Sequence, residues 1–126
     1  MALILYGIPH CDTVKKARSW LDSHTLPYQF HDFKKMGVDT SLLQSWLSKV
    51  PLDTLLNRKS STWRKLSSDE QAKATMIDGA MALMQSYPSL IKRPVLSTPN
   101  TLLVGFTPQQ YQQTLTTVSY QSAHSA

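Results

Sequence analysis

The chain has 126 residues and a formal net charge of +5, and 41% of its residues are hydrophobic. This length is enough for one domain with a hydrophobic core, and the composition excludes a wholly disordered chain. No apolar run approaches the ~20 residues of a membrane-spanning helix, and the short run at residues 2–6 has no charged region before it, so no secretion signal is predicted and we expect a cytoplasmic protein.

The first part of the chain predicts a strand, a helix and a second strand. Residues 2–6 are continuously apolar, which is typical of a central strand buried on both faces. Asp12 or Thr13 can cap the helix that follows, and Pro27 lies beyond its end. Residues 28–31 alternate in polarity and predict the second strand. Short links between these elements indicate a βαβ unit with parallel strands.

The middle of the chain, about 34–88, predicts a run of helices. Asp39 or Thr40 can cap the first of them, before a stretch with leucine and tryptophan on one face. Ser67 precedes a glutamate at capping-box spacing and predicts a second helix start. Asp78 can cap a further helix. We therefore expect a helical insertion between two β-containing halves.

The last part of the chain returns to β structure. Residues 94–97 and 101–104 flank a Pro-Asn pair and predict a hairpin. Residues 107–110 open a final helix with proline at its first position. The predicted buried stripe of this helix is Tyr111, Leu115 and Val118. Residues 119–126 are small and polar and are predicted to fray.

The predicted order is therefore βαβ, a helical insertion, and ββα. This order, with a cysteine after the first strand, is the layout of an α/β thioredoxin-like fold with a mixed four-stranded sheet. We expect one such domain over residues 1–126, with the helical insertion between its two halves.

Cys11 is the only cysteine of the sequence, which excludes an internal disulfide and a site built on several thiolates. It lies between a predicted strand and a predicted helix, where free N–H groups and the helix dipole stabilise a thiolate. Lys15, one turn along, could add positive charge. The alternative is an inert buried cysteine. His10 could pair with the thiolate or move a proton, or it could simply be exposed. No metal site is predicted.

Ten of the thirteen basic residues form doublets along the chain. They are compatible with a solvated basic surface or with an anion site assembled from several doublets. Nucleic-acid binding is not favoured, because the aromatic residues do not interleave with the basic ones. The doublets are Lys15-Lys16, Lys34-Lys35, Arg58-Lys59, Arg64-Lys65 and Lys92-Arg93.

Three segments resemble motifs of a known family. Residues 5–13 (LYGIPHCDT), 55–59 (LLNRK) and 91–96 (IKRPVL) resemble the three motifs of the arsenate reductase-like family, in the right order and at the right separations. This is the glutathione- and glutaredoxin-linked ArsC group, with its relatives Spx and YffB. The resemblance covers nearly the whole chain and is greatest for the YffB branch.

The resemblance implies a role for several residues. Cys11 would be the catalytic nucleophile, and Arg58 and Arg93 would line its pocket and bind anionic oxygens, which the guanidinium fork suits. The Arg93-Pro94 bond would be cis. Lys15 matches a basic residue that lowers the thiol pKa. The predicted substrate-binding residues are His10, Asp12, Thr13, Lys15 and Pro94.

In the arsenate reductases of this family, the thiolate attacks arsenate, glutathione resolves the adduct and glutaredoxin removes the glutathione. The resemblance therefore implies a glutathione-dependent thiol reductase that acts on a small oxyanion or thiol substrate. Glutathione would be the co-substrate, glutaredoxin a further partner, and no cofactor would be bound. Neither a membrane nor a nucleic acid is an expected partner.

Two alternatives remain open, a true arsenate reductase and a non-enzymatic Spx-like binding protein. Against the first, Gly105 stands where those arsenate reductases carry a third pocket arginine. Against an Spx-type disulfide switch, Val14 stands where Spx has its second cysteine.

Overall fold

The structure of the protein, a computed structural model, describes residues 3–115. The first half begins with β1 (Ile4–Gly7), α1 (Asp12–Ser23) and β2 (Gln29–Asp32). The insertion consists of α2 (Phe33–Met36), α3 (Thr40–Leu47), α4 (Leu52–Leu55), α5 (Ser61–Lys65), α6 (Ser68–Ala72) and α7 (Ile77–Ser86), with 3-10 turns at Lys73–Thr75 and Pro88–Leu90. The second half contains β3 (Val95–Ser97), β4 (Leu102–Val104) and the helix α8 at 108–115.

The four strands form one mixed sheet in the order β2-β1-β3-β4. β1 pairs with β2 in parallel and with β3 in antiparallel orientation, so that Leu5 lies between Phe30 and Leu96. β3 and β4 form the predicted antiparallel hairpin. This topology, with the helices of the insertion between β2 and β3, confirms the predicted thioredoxin-like fold.

Side chains alternate between two hydrophobic layers, one on each face of the sheet. Leu5 and Leu96 face α1 and α8, together with Val14, Leu21 and Tyr111. Their strand neighbours Tyr6 and Val95 face the insertion, and the buried residues of that layer include Phe33, Leu43, Trp46, Leu55 and Met84. Each fully buried leucine contributes about 1.5–3 kcal/mol to stability, so both layers are substantial. Burial on both faces explains why β1 is a continuous apolar run.

Several details differ from the prediction. α1 is capped by Cys11, so the prediction that Asp12 or Thr13 caps it is wrong by one or two residues. α7 begins one residue before Asp78, with Met76 at its N-cap, so Asp78 is not the cap either. In both cases a polar residue of the first turn resembled a capping residue. Val118 and the predicted frayed tail, 119–126, lie outside the described residues.

Asp39 and Ser67 cap α3 and α6 as predicted. Tyr111 and Leu115 are fully buried, in agreement with the predicted stripe of the last helix. Within residues 3–115, no helix has the length and apolar character needed to cross a membrane.

Candidate active site

The loop after β1 brings Cys11 to the N-terminus of α1. The Cys11 N–H donates to the carbonyl of Ile8 at 3.3 Å, and the Lys15 N–H donates to the carbonyl of Cys11 at 2.9 Å, which closes the first turn of the helix. At the end of β1, a Cβ on Gly7 would lie 2.7 Å from Cγ2 of Val14. Glycine at this position therefore lets the first turn of α1, which follows Cys11, pack closely against the end of β1.

The thiol of Cys11 is half-buried and lies at the N-cap of a 12-residue helix. Burial of the thiol raises its pKa. The backbone amides of Val14 and Thr13 and the guanidinium of Arg93 lower the pKa, and together they outweigh the effect of burial. The net pKa of the thiol therefore lies below its ordinary value. A lowered pKa increases the thiolate fraction at neutral pH, and the thiolate is the reactive nucleophile.

Arg93 reaches the thiol because of the way β3 pairs with β1. Val95 pairs with Tyr6, so the two residues before β3 lie beside the end of β1 and the Cys11 loop. The Arg93-Pro94 peptide bond is cis, as the resemblance implied. Arg93 is half-buried and acts on Cys11 through both a hydrogen bond and its charge, whereas Pro94 is buried beside it. The structure thus brings Arg93 and Cys11 together.

The second and third motifs are joined through the backbone. Leu56 and Ile91 form an isolated antiparallel bridge, and the Asn57 N–H donates to the carbonyl of Leu90 at 2.7 Å. On the other side of the bridge, the Lys92 N–H donates to the carbonyl of Leu55 at 2.8 Å. This pairing attaches the segment that leads to Arg58 to the segment that leads to Arg93.

The guanidinium of Arg58 is bound by the carboxylate of Asp53 and lies over the ring of Trp63, with its Cζ 5.7 Å from the ring centroid. Arg93 is the arginine that lowers the thiol pKa, whereas Arg58 interacts with residues of the insertion. The participation of Arg58 in the pocket of Cys11 therefore stays a prediction.

The other predicted site residues lie around the start of α1. His10 and Asp12 are exposed, and Thr13 is half-buried with its amide towards the sulfur. Lys15 is exposed and lines a surface groove of about 400 Å³ with Trp20 and Phe106. Substrate binding by His10, Asp12, Thr13, Lys15 and Pro94 stays a prediction.

Sequence reasoning missed two contributors. The amide of Val14 lowers the thiol pKa, and an N-cap at Cys11 rather than at Asp12 or Thr13 would have indicated this. Asp53, which binds Arg58, lies five residues before it across the end of α4, and that separation is not a recognisable pairing signal.

Gly105 adopts a positive φ of 82°, and its N–H donates to the carbonyl of Pro94 at 2.8 Å. Apart from Gly105 itself and its two chain neighbours, no described residue has an atom within 4 Å of the position that a Cβ on Gly105 would occupy. Beside Pro94, the site therefore has open space rather than a third cation.

Comparisons with known proteins agree with this geometry. A profile of the ArsC family matches residues 6–114 of the chain. A solved structure of a YFFB protein is 46% identical, covers 88% of this chain and 96% of its own, and superimposes with a TM-score of 0.82. The solution structure of an arsenate reductase (ArsC) related protein from Brucella melitensis is 45% identical, covers 91% and 95%, and has a TM-score of 0.71.

A regulator is also among the relatives. The global transcriptional regulator Spx 1 of Lactococcus lactis is 30% identical over 104 residues, which cover 81% of this chain and 80% of the regulator. The profile match extends from β1 into the last helix and includes Cys11, Arg58 and Arg93. On this basis, the chain belongs to the ArsC family.

Proposed function

We propose that the protein is a glutathione-dependent thiol reductase in which Cys11 is the nucleophile. The observation that carries the proposal is a half-exposed thiol at a helix N-terminus, whose pKa is lowered by two backbone amides and by Arg93. A thiolate held in this way attacks disulfide sulfur, because it is both deprotonated and accessible. The sequence holds no second cysteine, so the resolving thiol must come from another molecule.

Glutathione suits this requirement. The proposed reaction begins with attack of the Cys11 thiolate on the glutathione sulfur of a mixed disulfide. A new S–S bond to Cys11 forms, the old one breaks, and the released substrate thiolate takes a proton from solvent. A second glutathione thiolate then attacks the glutathione sulfur on Cys11, which forms oxidised glutathione and regenerates the Cys11 thiolate. Glutaredoxin could replace the second glutathione.

Arg93 has two roles in this scheme. Its charge stabilises the thiolate before attack, and its remaining donors can bind a carboxylate of glutathione, which carries two. Arg58 would bind the second carboxylate. This chemistry requires a glutathione pool, so we place the protein in the cytoplasm.

The test is to incubate the protein with oxidised glutathione and to analyse it by mass spectrometry. We expect the addition of one glutathione at Cys11, its removal by reduced glutathione, and no addition to Cys11→Ser. Arg93→Gln should form the adduct more slowly, because the thiol pKa rises when the guanidinium is removed. A thiol with an ordinary pKa and no adduct would count decisively against the proposal.

Arsenate is a less suitable substrate for this site. The position of the third arginine in the resembling enzymes is occupied by Gly105, whose φ of 82° is a conformation that side chains other than glycine rarely adopt. One ligand for the oxyanion is therefore missing. A coupled assay with glutathione and glutaredoxin can compare the turnover of arsenate with that of a glutathione mixed disulfide. We expect little turnover of arsenate.

A second candidate is a binding protein, favoured by the 30% identity with a regulator of the Spx type. In this chain Val14 is fully buried in the core beneath α1. A cysteine-pair switch is therefore replaced by a packing contact at that position. Capture of RNA polymerase subunits by the wild type and by Cys11→Ser with equal yield would support this function and exclude a need for the thiol.

A further inference from the structure

Asp53 contacts one basic side chain from each of two motifs, Arg58 of the second motif and Lys92 of the third. Its carboxylate binds the guanidinium of Arg58, and its backbone carbonyl accepts a hydrogen bond from Nζ of Lys92 at 3.1 Å. The Asp53 side chain is 83% exposed and that of Arg58 is 41% exposed, so both remain accessible to a ligand.

The position of Asp53 determines where the guanidinium of Arg58 lies. The bridge between Leu56 and Ile91 is antiparallel, so the chain beyond Leu56 moves away from the chain beyond Ile91. The backbone of Arg58 therefore moves away from that of Arg93. Asp53 precedes the bridge and accepts a hydrogen bond from the side chain of Lys92, the residue before Arg93. By binding Arg58, it therefore holds the guanidinium next to a residue that Lys92 also contacts.

The contact also changes the charge that Arg58 presents. A guanidinium has five N–H donors, and Asp53 accepts from the Nη1 group alone, so other donors remain available for a ligand. The charge of the pair is close to zero, however. A single carboxylate can still bind these donors, whereas a dianion gains less attraction and lies close to the Asp53 charge.

We propose that Asp53 is a specificity-determining residue of the Cys11 site, where it holds Arg58 in a nearly neutral pair that accepts a carboxylate of a peptide thiol and disfavours a dianionic oxyanion. The inference rests on the proposed function in one respect, the participation of Arg58 in the Cys11 site. It names the class of ligand that the site selects and the residue that selects it.

The experiment measures how strongly two anions protect Cys11 from alkylation by neutral iodoacetamide at constant ionic strength. One probe is sulfate, a dianion. The other is S-methylglutathione, which carries a net charge of −1 and cannot form a disulfide. The variants are Asp53→Asn, which keeps the shape and the acceptor but removes the charge, and Asp69→Asn as a control. Asp69 is exposed in the first turn of α6, so this control changes net charge by the same amount elsewhere.

We expect Asp53→Asn to lower the half-protecting concentration of sulfate about three- to fivefold, the range expected for an exposed ion pair. The half-protecting concentration of S-methylglutathione should change by less than about twofold in Asp53→Asn. In Asp69→Asn, the half-protecting concentrations of both anions should equal those of the wild type. The inference would be overturned if sulfate protected Cys11 in Asp53→Asn no better than in the wild type. It would also be overturned if protection by sulfate and by S-methylglutathione improved equally. Sulfate protection is measured without thiol exchange, so failure of the proposed function would be seen separately, as a missing glutathione adduct in the wild type.

Discussion

Four short helices of the insertion, α2, α3, α5 and α6, begin in a different way from helix α1. Each of these four has a side-chain oxygen that accepts hydrogen bonds from its first amides, whereas no side-chain oxygen in the described part of the chain caps α1, whose N-cap is Cys11. The four capping residues are Asp32, Asp39, Ser60 and Ser67.

The first amides stabilise the helix in these four insertion helices, whereas in α1 they activate a thiol. A side-chain cap satisfies amides that would otherwise need water, and it contributes about 1 kcal/mol to helix stability. At α1 the same amides face a thiol and lower its pKa. α1 tolerates this arrangement because Val14, Ala17 and Leu21 anchor it to the sheet through full burial. The short insertion helices have fewer buried residues and depend more on their caps.

The largest effect that we expect concerns packing inside the insertion. A Cβ on Gly79 would lie 2.1 Å from the carbonyl oxygen of Lys73, which belongs to the neighbouring 3-10 turn. Gly79→Ala should therefore destabilise the protein by about 2–3 kcal/mol, because the overlap involves backbone and outweighs the ~1 kcal/mol that alanine normally contributes in a helix. Urea unfolding measures the change.

The matched control for Gly79→Ala is Ala82→Gly, at an exposed position of the same helix. It should cost about 1 kcal/mol through helix propensity alone. If Gly79→Ala stabilised the protein, the close contact between α7 and the preceding turn would be disproved.

The next effect concerns a cap of the insertion. The Asp39 carboxylate accepts from the Leu42 N–H at 2.8 Å, so Asp39→Ala should lower the free energy of unfolding by about 1 kcal/mol. Asp39→Asn keeps a capping oxygen and should cost much less. The rate at which iodoacetamide alkylates Cys11 should be the same in both variants as in the wild type. A slower reaction in Asp39→Ala would show that the two regions are not independent.

The smallest effect on stability is expected for Cys11→Ser, which gives α1 a serine N-cap like those of α5 and α6. The folded pKa of the thiol is depressed, so the thiolate contributes stability above the unfolded pKa, and that contribution is lost as pH falls through the folded pKa. At low pH, Cys11→Ser should be more stable than the wild type by about 0.5 kcal/mol, since serine is a favoured N-cap. The difference should shrink as pH rises.

Thermal unfolding of both proteins at several pH values checks this prediction. A stability difference that grows with pH would have the wrong sign and would contradict a depressed thiol pKa. The serine variant should lose all reaction with iodoacetamide at every pH, which provides an internal control for the identity of the reacting group.

Much of the fold and part of the site could be predicted from sequence. The apolar run of β1, the alternation in β2 and the Pro-Asn turn before β4 specify strands through local patterns. The position of Cys11 between a strand and a helix indicates an activated thiol, because that location always offers free amides. Arg93 was found through the resemblance, since nothing local predicts that its side chain reaches the sulfur.

The rest depends on contacts that are distant or unusual in sequence. In the sequence, Gly79 resembles an ordinary helix glycine. The need for glycine there comes from a close contact with the backbone of Lys73, which belongs to a different element. The pairing of Asp53 with Arg58 crosses the end of α4 at a spacing that no helical rule recognises. The sequence pattern places the cap of α1 at Asp12 or Thr13 rather than at Cys11, because cysteine is not among the residues that favour an N-cap.

The backbone bridge between Leu56 and Ile91 has a consequence for local unfolding. It connects the segment that carries Arg58 to the segment before β3, while Cys11 depends on β1 and α1. Opening of the insertion alone would carry Arg58 away and leave the sulfur in place. If Arg58 and Asp53 select the ligand as proposed, such a partly open molecule would keep a reactive thiol but lose discrimination among anions. The ligand preference would then disappear at lower denaturant concentrations than the nucleophilicity of Cys11.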